Sequence, residues 1–184
     1  MSTLKTSRLI WRCALMVAVL LCRPAPATAQ DVSVPSLKAA FLMNFVKFAE
    51  WPDGAVARGQ VFTFCVAGDQ KVFEEIALSI KRYSRPDLMT VVYVALDTPL
   101  PVCHMLYFGG SDLQAVRRVG ESLHGAPVFT ASDIRGFAEA GGIAELRLDK
   151  GKMRFSINAA AARRAHLALS AKLLSLATLV KETP

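Results

Sequence analysis

Motifs for nucleotide binding and acyl transfer are absent from this sequence. It contains no G-x-G-x-x-G, no G-x-x-x-x-G-K-[ST] and no G-x-S-x-G. Histidine is scarce, and none of His104, His124 and His166 lies at a metal-ligand spacing such as H-x-x-x-H from another. The carboxylates are scattered, without a pair that stands out for acid–base catalysis. We therefore expect neither an enzyme nor a protein that carries a cofactor or a metal ion.

Acidic residues are missing from the N-terminal segment, as is an apolar run long enough to cross a membrane. Basic residues occur within the first twelve positions, an apolar run occupies 13–22, and two prolines precede Ala27-Thr28-Ala29. These are the three parts of a secretion signal. About ten apolar residues cannot span roughly 30 Å of hydrocarbon as a helix. The pattern predicts a cleavable signal peptide over residues 1–29, cut between Ala29 and Gln30, and an exported domain over residues 30–184.

Two alternatives to a cleaved signal remain open. One is an uncleaved membrane anchor, which the shortness of the apolar run disfavours. The other is lipid attachment at Cys22, although the chain has Leu21 where a lipobox has a small residue.

Most of the excess positive charge is lost with the leader. The whole chain has 22 Lys and Arg against 15 Asp and Glu, and the leader holds four of the basic residues and none of the acidic ones. The exported domain therefore keeps 18 basic residues against 15 acidic ones, a net charge of +3. It has no Lys/Arg run with interleaved aromatic residues, so we expect no nucleic-acid partner.

Cysteine is sparse in the exported domain, which keeps only Cys65 and Cys103. An even pair in an oxidising compartment is most simply a disulfide, and a loop of this length gives roughly 4 kcal/mol of stability in the chain-entropy model. Two buried free thiols are the alternative. Cys103 and His104 do not suit a nucleophile–base pair, because neighbouring side chains on a strand point to opposite faces.

Short apolar strands alternate with helices in the exported domain. Strands are predicted at 61–67, 89–95, 103–108 and 126–130, and helices from Ser33 to before Trp51, over 73–80, and from Ser111 or Asp112 to about Leu123. Residues 143–148 and 153–157 then flank a hairpin turn. This order predicts a single α/β domain, an αβα sandwich with a mostly parallel sheet, to which the hairpin near the C-terminus adds an antiparallel strand.

Polar residues follow several of these strands, at Gly68-Asp69, 109–112 and 130–133. Strand ends are where α/β domains bind ligands, and helix N-termini there can hold anions. Ordinary turns and helix caps use the same residue types, and we favour that interpretation.

The last part of the chain is rich in Ala and Leu. Asn158 is predicted to cap one long helix that runs from Ala159 to about Val180. Arg154 and Arg163, on either side of this cap, are candidates for an anion contact.

An aromatic stripe marks the first helix of the exported domain, with Phe41, Phe45, Phe48 and Trp51. Such a stripe mostly packs into a core. A terminal amphipathic helix can also exchange between its own core and another molecule, so this stripe is a candidate surface for a partner or for a homodimer.

Several segments together resemble the YfiR-like family of periplasmic proteins, formerly a domain of unknown function. The resemblance covers essentially the whole exported domain and depends on blocks that fall in the family's order and spacing. These blocks are Leu37-Lys-Ala-Ala-Phe-Leu-Met-Asn-Phe-Val-Lys-Phe-Ala-Glu-Trp-Pro52, Phe64-Cys-Val-Ala-Gly68, Cys103-His-Met-Leu-Tyr107, Gly136-Phe-Ala-Glu-Ala-Gly-Gly142, Arg154-Phe-Ser-Ile-Asn158 and Leu173-Leu-Ser-Leu-Ala177.

The resemblance implies a small α/β sandwich and a regulatory role. It implies a repressor that holds the periplasmic sensor region of an inner-membrane diguanylate cyclase inactive, and an outer-membrane lipoprotein that can sequester the repressor. Cys65 and Cys103 match the family's common disulfide pair. We therefore expect a periplasmic, non-enzymatic regulator of cyclic-di-GMP and biofilm formation. The alternative is a periplasmic small-ligand-binding sensor component that acts on another membrane receptor.

Overall fold

A computed structural model describes residues 33–56, 60–83, 86–110 and 113–181. The predicted signal peptide with its cleavage site, and the predicted cap at Ser111 or Asp112, lie outside these residues. The elements in chain order are α1 (Val34–Phe48), β1 (Ala49–Glu50), β2 (Phe62–Ala67), α2 (Gln70–Lys81), a 3₁₀ turn (Pro86–Leu88), β3 (Met89–Tyr93), β4 (Met105–Phe108), α3 (Leu113–Ser122), β5 (Phe129–Ser132), β6 (Ala144–Asp149), β7 (Lys152–Ile157), α4 (Ala159–Arg164), β8 (Ala168–Leu169), α5 (Ala171–Leu176) and β9 (Thr178–Leu179).

The main sheet has the strand order β3-β2-β4-β5-β6-β7-β9, and β1 pairs with β8 in a separate antiparallel ribbon. The strands from β3 to β6 run parallel, β7 is antiparallel to β6, and β9 is parallel to β7. The predicted α/β fold with a mostly parallel sheet and an antiparallel hairpin is therefore confirmed.

Two apolar cores cover the two faces of the central strands. Phe64 and Val66 of β2 belong to the core that contains α1 and α2, whereas the alternate residues Cys65 and Ala67 belong to the core that contains α3. Every residue of β4 is buried. Strands that are covered on both faces read as continuous apolar runs, which is why the sequence located them.

The prediction of one long helix from Ala159 to about Val180 is wrong. The segment forms two short helices, α4 and α5, and two short strands, β8 and β9. His166 has a φ of +56°, a left-handed conformation that ends the helical path. The Ser170 N–H then donates to the Phe48 carbonyl at 2.9 Å, beside the pairing of β8 with β1. Pairing with β1 and β7 outweighs the helix propensity of Ala and Leu.

Side-chain caps fix the starts of several helices. Asn158 caps α4 as predicted, because its Oδ1 accepts from the Ala161 N–H at 2.9 Å. The cap of α2 is Asp69, whose Oδ1 accepts from the Val72 N–H at 3.1 Å, so α2 begins three residues before the predicted start at Phe73. Among the described residues, no helix has the length and apolar character that a membrane crossing requires.

Candidate functional site

Polar side chains meet at the carboxyl ends of the central parallel strands. Asp69 follows β2, Asp133 follows β5, and Tyr107 belongs to β4 between them. In α/β sheets this edge binds ligands, above all where the strand order reverses. Here the chain passes from β2 to β3 on one side and from β4 to β5 on the other, so the reversal lies between β2 and β4.

Two glycines allow the ends of β2 and β4 to approach each other. Gly68 has a φ of +76°, and a Cβ at this position would lie 2.2 Å from the carbonyl oxygen of Gly109. A Cβ at Gly109 would lie 2.4 Å from the Cβ of Asp69. A side chain at Gly109 would therefore displace Asp69, and one at Gly68 would push the ends of β2 and β4 apart.

Lys38 of α1 reaches this edge and holds both carboxylates. Its Nζ donates to Oδ2 of Asp133 at 2.6 Å and to Oδ2 of Asp69 at 3.1 Å. The same Nζ lies 5.9 Å from the centroid of the Tyr107 ring. We call Lys38, Asp69, Tyr107 and Asp133 the Lys38 cluster. It connects α1 to the ends of β2 and β5 and to the aromatic ring of Tyr107 in β4.

Lys38 stays protonated in this setting. Burial alone would lower its pKa, but the hydrogen bonds and negative charges of Asp133 and Asp69 outweigh burial and raise the pKa above the ordinary value of 10.5. An ammonium group that is held in this way has no lone pair for nucleophilic attack. Lys38 therefore forms ion pairs that connect α1 to the strand ends, and it is not suited to act as a Schiff-base nucleophile.

Tyr107 also stays protonated. Burial, followed by the charges of Asp133 and Asp69, raises the pKa of its hydroxyl far above the ordinary value of 10.0. The Tyr107 hydroxyl and Oδ1 of Asp133 are buried, and neither completes a hydrogen bond of good geometry among the described residues, although Asp133 is close enough to act on the hydroxyl. The two atoms are close but poorly aligned. A bridging water molecule or a small side-chain movement can complete their hydrogen bonds.

Sequence reasoning located half of the Lys38 cluster. Asp69 and Asp133 stand in the strand-end segments, and the interpretation of these segments as turns and caps holds for Asp69 and for Ser132, whose Oγ accepts from the Ile134 N–H at 3.0 Å. Lys38 was missed, although it precedes buried Leu42 by four residues and so lies on the buried side of α1. A lysine in that register is the signal that would have found it.

Cys65 and Cys103 form a disulfide with a Cα–Cα distance of 5.8 Å. Cys65 is fully buried in β2, and Cys103, which is 7% exposed, lies two residues before β4. The bond therefore joins two neighbouring strands of the parallel sheet. Among the described residues, no three side chains of His, Cys, Asp or Glu are grouped as metal ligands.

His104, next to the disulfide, is buried and bonded to the backbone on both sides. Its Nδ1 accepts from the Thr63 N–H at 2.9 Å, and Nε2 lies 3.0 Å from the Ala55 carbonyl oxygen. A neutral ring with the proton on Nε2 fits both contacts. The carbonyl of His104 accepts from Nε1 of Trp51 at 3.2 Å. His104 therefore anchors the 51–56 turn to β2.

The aromatic stripe is divided between the core and its margin. Phe45 is 1% exposed and stacks on Phe129, whereas Phe41, Phe48 and Trp51 are partly buried against the same core. Phe45 therefore offers no surface in this structure. A partner or dimer contact through the other three side chains stays a prediction.

The two candidate arginines are exposed and belong to different elements. Arg154 lies on β7 with its Nε 4.0 Å from Oδ2 of Asp149, and Arg163 lies in the last turn of α4 rather than at the Asn158 cap. An anion contact through them stays a prediction, and their placement gives it no support.

A family model described as YfiR/HmsC-like matches residues 35–178. This range spans the main sheet up to the first residue of β9, together with the disulfide and the Lys38 cluster. The chain belongs to the YfiR/HmsC-like family. No curated protein matches it significantly.

Membership gives this YfiR/HmsC-like chain a regulatory role. The family is periplasmic and is known for regulators of diguanylate cyclases, rather than for catalysis. The Lys38 cluster positions α1 on the sheet.

Proposed function

We propose that this protein is a periplasmic repressor that binds the periplasmic sensor region of an inner-membrane diguanylate cyclase and holds the enzyme inactive. Low cyclic-di-GMP and reduced biofilm are the result. The observation that carries the proposal is the family match over residues 35–178, which takes in most of the folded domain.

Repression of this kind is a population shift. To move a cyclase from 99% active to 99% inactive, the repressor must bind the inactive state about 10⁴-fold more tightly, which is about 5.5 kcal/mol. A protein surface of standard size can supply such a difference, provided that it is not reorganised on binding. The disulfide and the Lys38 cluster support the proposal because both fix elements of the domain in advance.

The surface that we propose for the sensor region is the C-terminal edge of the sheet, defined by Leu176 and Leu179. Leu176 is 66% exposed at the end of α5, and Leu179 is 60% exposed in the edge strand β9. Exposed leucines beside an edge strand combine apolar area with backbone groups that can pair with another chain. The sequestering outer-membrane lipoprotein would compete for this surface, whereas the homodimer stays a prediction for the aromatic stripe.

Gene deletion with complementation tests the proposal. We expect the deletion strain to contain more cyclic-di-GMP and to form more biofilm, and the full-length gene to reverse both effects. The matched control is a gene that lacks codons 2–29, whose product keeps the folded domain in the cytoplasm and should not complement. Equal cyclic-di-GMP levels in the wild-type and deletion strains would contradict the proposed repression of a cyclase.

The boundaries of the exported domain are part of the same proposal. We propose that residues 1–29 direct export and are removed after Ala29. The intact mass of the protein recovered from the periplasm should correspond to residues 30–184. A mass that includes the leader, or one that includes a lipid at Cys22, would contradict cleavage at this position.

A further inference from the structure

A cavity of about 290 Å³ lies on the α3 side of the sheet, away from the Lys38 cluster. Residues of α3, of the turn that follows it and of α4 form its walls, and its floor is apolar. Phe108, Val128 and Phe137 are buried members of the floor. The volume corresponds to the lower end of the range for small-molecule sites.

Gly120 stands in the wall of this cavity, inside α3. Glycine is, after proline, the least favourable residue inside a helix. A Cβ at this position would contact nothing within 4 Å, and Gly120 is not among the residues with positive φ. Neither crowding nor backbone conformation requires glycine here. What its missing side chain provides is open space in the cavity wall.

Charged side chains also line the cavity. Among the described residues, the charged side chains of the lining are Arg117, Arg164 and Glu121, and His124 lies with them. These four residues are exposed, whereas Phe108, Val128 and Phe137 in the same lining are buried. Guanidinium groups bind carboxylates strongly because they present several donors in a fixed plane.

We propose that this cavity binds a small molecule that has an apolar body and one anionic group of the carboxylate type. The apolar body occupies the space beside Gly120 and above Phe108 and Phe137, and the anionic group lies at Arg117. This goes beyond the proposed repression, since it assigns the domain a ligand site on a different surface from the C-terminal edge.

Titration calorimetry on the protein purified from the periplasm tests the site with three probes of equal chain length: octanoate, 1-octanol and octylammonium. The shared apolar tail controls for unspecific burial, and only the head group differs. We expect octanoate to bind about tenfold more tightly than octylammonium, as a charge-assisted hydrogen bond implies. Equal affinity for the two charged probes, or no binding of octanoate, would overturn the proposal.

Two variants locate the binding. Gly120→Leu fills the open space and should weaken octanoate binding by about tenfold or more. Arg117→Gln should weaken octanoate about tenfold without changing the affinity for 1-octanol. The matched control is Arg118→Gln, the neighbouring exposed arginine of α3, which does not line the cavity.

Arg117→Gln keeps the test decisive even if Gly120→Leu fails to fold. Unchanged octanoate affinity in a folded Gly120→Leu protein, or equal losses in Arg117→Gln and Arg118→Gln, would show that octanoate binds elsewhere. Because the assay uses the purified protein and no cyclase, its failure leaves the repressor proposal intact, and failure of the deletion experiment leaves this site intact.

Discussion

At the scale of single residues, Lys38 is a part-buried cation between two part-buried carboxylates. Its side chain is 13% exposed, and those of Asp69 and Asp133 are 20% and 28% exposed. At this burial the loss of one partner matters more than the pair itself contributes, because the remaining charges are left without compensation.

We therefore predict that Lys38→Met lowers the free energy of unfolding by about 3 kcal/mol. Urea denaturation at neutral pH measures the change. Lys47→Met is the control, since Lys47 is exposed in the same helix, and it should change stability by less than about 0.5 kcal/mol. Adding Asp133→Asn to Lys38→Met should recover part of the loss. Equal effects of the Lys38 and Lys47 substitutions would contradict a stabilising role for the Lys38 ion pairs.

Tyr107 gives a pH dependence of defined sign. Its pKa in the folded protein is raised above the unfolded value of 10.0, so its contribution is fully present below pH 10 and is lost as the pH rises towards the folded pKa. At pH 11 the loss is about 1.4 kcal/mol. Wild-type protein should therefore lose about that much more stability than Tyr107→Phe between pH 9 and pH 11. Parallel pH curves for the two proteins would show that the hydroxyl titrates normally.

At the scale of elements, the disulfide is the covalent link between β2 and the start of β4. The two cysteines are 38 residues apart in sequence. For a loop of this length, chain entropy gives about 4 kcal/mol of stabilisation. The pair also lies where the central strands meet, so its loss acts on the sheet as a whole.

We predict that Cys65→Ala/Cys103→Ala lowers the free energy of unfolding by about 4 kcal/mol. Denaturation with and without dithiothreitol provides the internal control, because reductant should destabilise the wild type and leave the double variant unchanged. If reductant does not change the denaturation midpoint of the wild-type protein, the disulfide contributes nothing to stability.

Whether an element could be predicted from the sequence depends on whether local residues or distant pairing form it. β2, β4 and the β6–β7 hairpin could be predicted because continuous apolar runs and a local turn identify them. The C-terminal elements could not, because β8 and β9 exist through pairing with β1 and β7, and Ala-rich sequence favours a helix in isolation.

Half of the Lys38 cluster escaped prediction for the same reason. Lys38 binds partners 31 and 95 residues away, and no local pattern connects such positions. The cavity beside Gly120 could not be predicted either, because the sequence does not show the empty space around a glycine within α3.

At the scale of the whole molecule, the repressor proposal places the sensor region on the C-terminal edge. Leu176→Glu/Leu179→Glu should abolish complementation of the deletion strain, since two charges oppose burial of this surface. Leu78→Glu is the control, because Leu78 is 43% exposed on α2, far along the chain from the edge. Equal periplasmic levels of the three proteins by immunoblot separate loss of binding from loss of folding. Full complementation by the double variant would exclude this edge as the docking surface.

Spheroplasts of the deletion strain expose the periplasmic face of the inner membrane and so test the central claim directly. The protein purified from the periplasm is added in increasing concentration, and cyclic-di-GMP is measured inside the spheroplasts. We predict a saturable fall to the wild-type level, and a smaller fall with Leu176→Glu/Leu179→Glu. Cyclic-di-GMP that stays constant at every concentration of added protein would contradict repression from the periplasmic side.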